Sequence, residues 1–176
     1  LLANLFGGLM IQLDTPFNVG ETVRSPDKQI EGKVEHIGWR QTQIRSANMT
    51  LIYVPNALFT SIVVENPSRM SHRCIRTTIG LRYDDIGKMS LIVDDVKNML
   101  HKHPEIDNGQ AVIVAFDQFA DSSLDFIIQA FSKTTELEKF HSLKQELLLR
   151  VSEIVARHGA EFAFPTRTLH LNPVSA

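Results

Sequence analysis

The sequence predicts an α+β protein of three parts: a short apolar helix, a small five-stranded β barrel and a split βαβ domain. Three observations carry this reading. The first thirteen residues bear no charge. Between Asp14 and about Ser68, β-branched residues are interrupted by turn signals too often for any helix of ordinary length. From Arg73 onward, strand-like segments are separated by two stretches whose apolar residues recur at helical spacing.

The opening run, Leu1-Leu-Ala-Asn-Leu-Phe-Gly-Gly-Leu-Met-Ile-Gln-Leu13, reads as a helix. At about 1.5 Å per residue it reaches only about 20 Å, short of the roughly 30 Å hydrocarbon core of a bilayer. It is therefore the end of a longer span, or a buried or interfacial helix. A signal peptide fits poorly, because no basic region precedes the run. Gly7 and Gly8 each cost about 1 kcal/mol relative to alanine in a helix, and such residues are kept where backbones must approach closely. Ala3 and Gly7, and likewise Asn4 and Gly8, lie four apart and form two small-residue stripes on one side, while Leu5, Leu9, Met10 and Leu13 cover much of the rest. Pro16 disfavours helix at Thr15, so the helix should end near Leu13 or Asp14.

In the second part, residues 14–68, turn signals at Asn18-Val-Gly20, Ser25-Pro-Asp27, Gly32, Ala47-Asn-Met49 and Pro55-Asn56 separate strands expected near 20–24, 30–37, 39–46, 50–54 and 61–66. Short strands of this number suggest a small barrel, closed by Asn66-Pro67-Ser68 as a linker. The third part, residues 69–166, begins with a strand over 73–83. A helix follows, marked by Met89, Val93, Val96 and Leu100 and ended by Pro104. Strands at 111–116 and 124–131 meet at the polar Asp121-Ser-Ser123. The stripe Leu137, Phe140, Leu143, Leu147, Val151, Ile154 and His158 predicts a second long helix with Gly159 as its C-cap. A last strand at 161–164 completes the split βαβ plan, and the tail, 167–176, has room for one more near 168–171.

Composition narrows the function classes. A chain that is 43% hydrophobic and 22% charged folds, and a net charge of -2 lacks the basic footprint that a phosphate backbone demands. The lone Cys74 cannot form an internal disulfide, which points to a reducing compartment.

Taken in order, several segments resemble the small-conductance mechanosensitive channel family: Asn4-Leu-Phe-Gly-Gly-Leu, Pro16-Phe-Asn-Val-Gly-Glu21, Glu31-Gly-Lys-Val-Glu-His-Ile-Gly38, Thr42-Gln-Ile-Arg45, Val54-Pro-Asn-Ala57 and Val64-Glu-Asn-Pro67. Each is weak alone; their order and spacing are specific. The stretch Ser25-Pro-Asp-Lys-Gln-Ile-Glu-Gly32 with Gly38-Trp-Arg40 is similar to the subgroup with additional N-terminal membrane helices, and Phe162-Ala-Phe-Pro165 matches the family's near-terminal strand. The resemblance implies the end of a pore-lining transmembrane helix (1–13), an Sm-like β domain and a ferredoxin-like α/β domain. It further implies a homoheptamer in the bacterial inner membrane with residues 14–176 in the cytoplasm, opened by tension to release ions and small solutes on hypo-osmotic shock. On that reading Ala3, Asn4, Gly7 and Gly8 pack and gate against neighbouring pore helices. Leu5, Leu9, Leu13, Pro16 and Phe17 then couple the helix to the β domain. Membrane lipids, permeating solutes and further copies of the chain are the implied partners.

Other chemistry is poorly supported by the residues. His101-Lys-His103 and His141 lack the spacing of a zinc site, and no cofactor motif or metal site emerges. Asp84-Asp85, Asp94-Asp95 and Asp121-Ser-Ser123 fall where a cap, an exposed helix face and a turn would use them. No phosphate loop or nucleophile elbow is present, so an enzyme is not expected. The competing readings are a soluble RNA-binding module, for which Arg69, Arg73, Arg76 and Arg82 form the best basic cluster, and a peripheral membrane scaffold without a pore.

Overall fold

The structure is a computed structural model describing residues 1–166. The chain forms two compact units that meet in sequence between Met70 and Ser71.

The first unit begins with α1 (Leu2–Asp14), followed by β1 (Thr22–Ser25), β2 (Ile30–Ile37), β3 (Gln41–Arg45) and β4 (Leu51–Pro55). The strands make one antiparallel sheet in chain order, β1-β2-β3-β4. Alternation explains its inner face: Ile30, Gly32 and Val34 of β2 point inward while Glu31, Lys33 and Glu35 point out. The β2–β3 register shifts between Val34 and His36, and there Glu35 accepts two 2.8 Å hydrogen bonds from the Arg45 guanidinium. α1 ends at Thr15, whose backbone takes the left-handed conformation (φ 44°) and donates 3.0 Å to the Ile11 carbonyl. Ile11 and Phe17 enter a core with Val23, Val34, Ile44 and Phe59, where the Phe17 and Phe59 rings lie 5.0 Å apart.

The strand expected at 61–66 contracts to a single bridge, Arg24 to Glu65. After β4 the chain winds into a short helical turn, Asn56–Thr60, instead of crossing the sheet again. The following donors are then engaged elsewhere: the Ser61 amide donates to the Leu58 carbonyl and the Val63 amide to the Asp27 carboxylate. Pro67 has no amide to continue a ladder.

The second unit comprises β5 (Arg73–Leu81), α2 (Met89–Lys102), β6 (Ile113–Phe119), β7 (Leu124–Ser132) and α3 (Leu137–Arg157). Its antiparallel sheet runs β5-β7-β6, with Phe162 bridging Leu81 on the free side of β5. That is the order of the split βαβ plan, with its last strand reduced to two amide hydrogen bonds, Arg82 to the Glu161 carbonyl and Ala163 to the Gly80 carbonyl. Pro165 ends the pairing. The strand expected near 168–171 lies outside the described residues. α2 buries Met89, Val96 and Leu100 of its expected stripe, with Ile92 buried in place of the half-buried Val93, and α3 buries Leu143, Leu147, Val151 and Ile154 while Leu137 stays exposed; these share one core with Phe126 and Ile128 of β7. Gly159, with φ 63°, turns the chain out of α3 and donates 2.9 Å to the Ala156 carbonyl.

Asp85 knots this unit together. Its side chain is 2% exposed and accepts from Lys88 Nζ (2.8 Å), Arg82 Nε (3.2 Å) and the Glu161 amide (3.0 Å). Lys88 also donates to the Gly159 carbonyl at 2.6 Å, so the start of α2, the end of β5 and the chain after α3 meet at one carboxylate. The Lys88 ammonium holds its pKa at about 2, against the burial that would raise it. Asp85→Ala strands three donors at once and is expected to destabilise the chain by about 3 kcal/mol, read as a drop in denaturation midpoint by circular dichroism; a change under about 0.5 kcal/mol would contradict this role.

Candidate functional site

α1 is attached to the sheet by a seam of backbone against backbone. Gly7 and Gly8 are buried, and a Cβ on Gly7 would sit 2.5 Å from the Asn56 carbonyl oxygen and 2.8 Å from the Ala57 nitrogen. A Cβ on Gly8 would sit 2.8 Å from Asn56 Nδ2 and 3.0 Å from the Trp39 carbonyl oxygen. Both are closer than side chains tolerate, so the helix reaches this position only with glycine at 7 and 8. One turn earlier, the Asn4 side-chain oxygen accepts 3.0 Å from the Ala57 amide. One turn later, Ile11 is 1% exposed and joins the core.

Asn56 is the receiving half of the seam. Pro55 ends β4 and places the fully buried Asn56 side chain where Thr42 Oγ1 donates to its Oδ1 (2.9 Å) and its own Nδ2 donates to the Gly38 carbonyl (2.8 Å). The Asn56 amide donates to the Arg40 carbonyl at 3.0 Å. One residue therefore fixes β3, the β2–β3 turn and the floor beneath α1.

The contacts of α1 with the β unit run through Asn4, Gly7, Gly8 and Ile11, whereas Leu5, Leu9 and Leu13 are 48%, 51% and 72% exposed. The reason is steric. At about 100° per residue, once the glycines face the sheet the leucines fall on the outer side. Gly7 and Gly8 face the chain's own β unit, and Ala3 is exposed. Pro16 is half-buried and Phe17 is buried in the core. Ile11 went unmarked by the sequence reading; its signal was a β-branched residue three and four positions beyond the two glycines.

A second cluster closes over the end of the helix. Glu21 accepts from the Asn18 amide (2.8 Å), from Asn66 Nδ2 (2.9 Å) and from both Nε and Nη2 of Arg69 (3.1 and 3.0 Å). Arg69 Nη1 also donates to the Thr15 carbonyl at 3.1 Å, and Asn66 Nδ2 to the Pro16 carbonyl at 3.0 Å. The Arg69 guanidinium, followed by Asn66, lowers the Glu21 pKa from 4.5 to about 2.

The other candidate residues serve structural contacts. Arg73 donates to the Thr135 carbonyl, Arg76 to Gln129 and Arg82 to Asp85 and Glu161, so the basic cluster is engaged within the protein. His103, 5% exposed, accepts from the Glu105 amide where α2 ends, and His101 pairs with Asn108. Asp95 pairs with His158 at 2.8 Å. Among the described residues no cluster of three metal-ligating side chains occurs, and no helix is long and apolar enough to cross a membrane.

Comparison with known proteins matches residues 1–69 to the family described as "Mechanosensitive ion channel, beta-domain" and residues 75–162 to "Mechanosensitive ion channel MscS, C-terminal". The chain is 48% identical over 175 residues to the low conductance mechanosensitive channel YnaI of Escherichia coli (strain K12), covering 99% of this chain and 51% of that one. It is 33% identical over 175 residues to the large-conductance mechanosensitive channel MscMJLR of Methanocaldococcus jannaschii, covering 97% and 48%. The cryo-EM structure of Arabidopsis thaliana MSL1 superposes with a TM-score of 0.88 at 28% identity, over 93% of this chain and 59% of that one. The chain thus spans about half the length of the curated relatives it matches.

Two outcomes follow from the seam and the cluster. Gly7→Ala forces α1 off the Asn56 backbone and is expected to destabilise the first unit by about 1–3 kcal/mol in denaturant melts, where the gain of up to about 1 kcal/mol that Gly→Ala gives at an exposed helix position would refute the close approach. Because the Glu21 pKa is depressed, its contribution is complete above pH 4.5 and fades as pH falls from 4.5 toward 2. Protection of residues 11–17 against hydrogen exchange, corrected for intrinsic rates, should fall over that range in wild type and lose the dependence in Glu21→Gln; the same profile in both would contradict it.

Proposed function

Because the chain belongs to the mechanosensitive ion channel (MscS) family, we propose that it forms the membrane-proximal and cytoplasmic portion of a channel opened by bilayer tension. The channel releases ions and small solutes on hypo-osmotic shock. It works as a homoheptamer in the bacterial inner membrane, with α1 as the inner end of the pore helix.

The seam carries this reading. An uncharged helix exposing Leu2, Leu5, Phe6, Leu9 and Leu13 is held rigidly on a folded β unit by contacts that use none of those side chains. Its apolar outer row is thereby left for lipid and for the same helix of neighbouring copies, with Ala3 giving close approach at one flank. Tension that moves the pore helices must move α1. The backbone contact at Gly7 and Gly8 then carries the displacement into the β unit, because a contact with no flexible side chains between leaves little slack.

The full-length gene, expressed in bacteria stripped of their own mechanosensitive channels, is expected to restore survival after hypo-osmotic shock and to give tension-activated currents in excised patches. Membrane-inserted protein that passes no current up to lytic tension would refute the proposal.

A further inference from the structure

The cluster at the end of α1 joins two places far apart in sequence. Residues 66–69 lie along residues 15–22: Asn66 holds the Pro16 carbonyl, Ser68 Oγ accepts 2.8 Å from the Thr22 amide, and Arg69 reaches the Thr15 carbonyl. Thr15 caps α1, so its carbonyl sits among the helix-end acceptors that lack intrahelical donors and that favour a cation. Arg69 meets Glu21 through Nε to Oε1 and Nη2 to Oε2, the two-pronged geometry that fixes a guanidinium in orientation, and its third nitrogen is thereby aimed at the helix end. The chain leaves the first unit at Met70, the next residue.

We propose that Arg69, oriented by Glu21, is a positioning residue for gating: it fastens the chain arriving from the second unit to the end of α1, so that load from that unit reaches the helix directly. The only covalent route from Thr15 to Arg69 passes through all four strands of the sheet. The clasp shortens it to one side chain. Arg69 and Glu21 are 45% and 25% exposed, so the pair adds little to global stability, and its effect falls on local motion of the helix end. This role rests on the channel reading above; the clasp itself does not.

The experiment uses the full-length protein in lipid nanodiscs and in excised patches, comparing wild type with Arg69→Gln and Arg69→Lys. In Arg69→Gln, hydrogen exchange over residues 11–17 should quicken by about tenfold while the α2 and α3 amides keep wild-type rates and the melting temperature holds. Arg69→Lys keeps the charge, yet one ammonium cannot span Glu21 and Thr15 in the same geometry, so it should show part of the effect. It decides the matter alone if Arg69→Gln fails to assemble. Exchange within twofold of wild type overturns the clasp. In patches, a shifted tension midpoint in the same variants supports the load path, and an unchanged midpoint overturns it. Wild-type protein without tension-activated current would refute the channel reading instead, and the exchange data would still decide the clasp.

Discussion

The contact of Gly7 and Gly8 with the backbone of Asn56, Ala57 and Trp39 sets the position of everything else in the first unit. Two glycines weaken a helix by about 2 kcal/mol together. The close approach they permit recovers a comparable amount: burial of Ile11 contributes about 1.5–3 kcal/mol, and the Asn4–Ala57 hydrogen bond about 1 kcal/mol more. The helix is therefore stable only when docked, and its docked orientation follows from where the missing side chains are.

That orientation divides the helix into two chemistries. The inner side presents Asn4, two glycines and the buried Ile11, and the Asn4 side chain hydrogen-bonds the turn after β4. The outer side is a row of leucine and phenylalanine that the first unit leaves about half exposed or more. An outer row of that kind calls for an apolar environment, which the membrane setting proposed for the chain would supply. The end of the helix is treated differently again, with charge and amide groups from Glu21, Asn66 and Arg69 gathered on its free carbonyls. The second unit relies on the same device in another form, a single buried carboxylate at Asp85 on which several segments converge.

Much of this was legible in the chain. The helix end at Asp14, the two long helices α2 and α3 and the left-handed glycine that turns the chain out of α3, one residue past the cap His158, appear close to where spacing and proline placed them, because local rules decide those features. The two strands that contracted, at 61–66 and 161–164, differ in cause: the donors of the first go to the preceding helical turn and to the distant Asp27, which spacing does not reveal, and the second is cut short by Pro165 with only the edge of β5 to pair with. The docking face of α1 was the harder problem. Both a glycine stripe and a leucine stripe can seat a helix, and the sequence of the helix alone does not say which meets the sheet. What decides is Asn56, whose backbone needs a partner without a Cβ, and that requirement is invisible until residues 7 and 56 are brought together. Arg69 stood out in the sequence only as a member of a basic cluster, because nothing local marks its partners 48 and 54 residues away.

The most direct test of the docking face is nitroxide scanning of positions 4, 5, 9, 11 and 13 in the full-length protein reconstituted in liposomes, read by spin-label mobility and by accessibility to oxygen dissolved in the lipid. The account predicts immobile, oxygen-shielded labels at Asn4 and Ile11 and oxygen-accessible labels at Leu5, Leu9 and Leu13. Shielded labels at the leucines with accessible ones at Asn4 and Ile11 would contradict it.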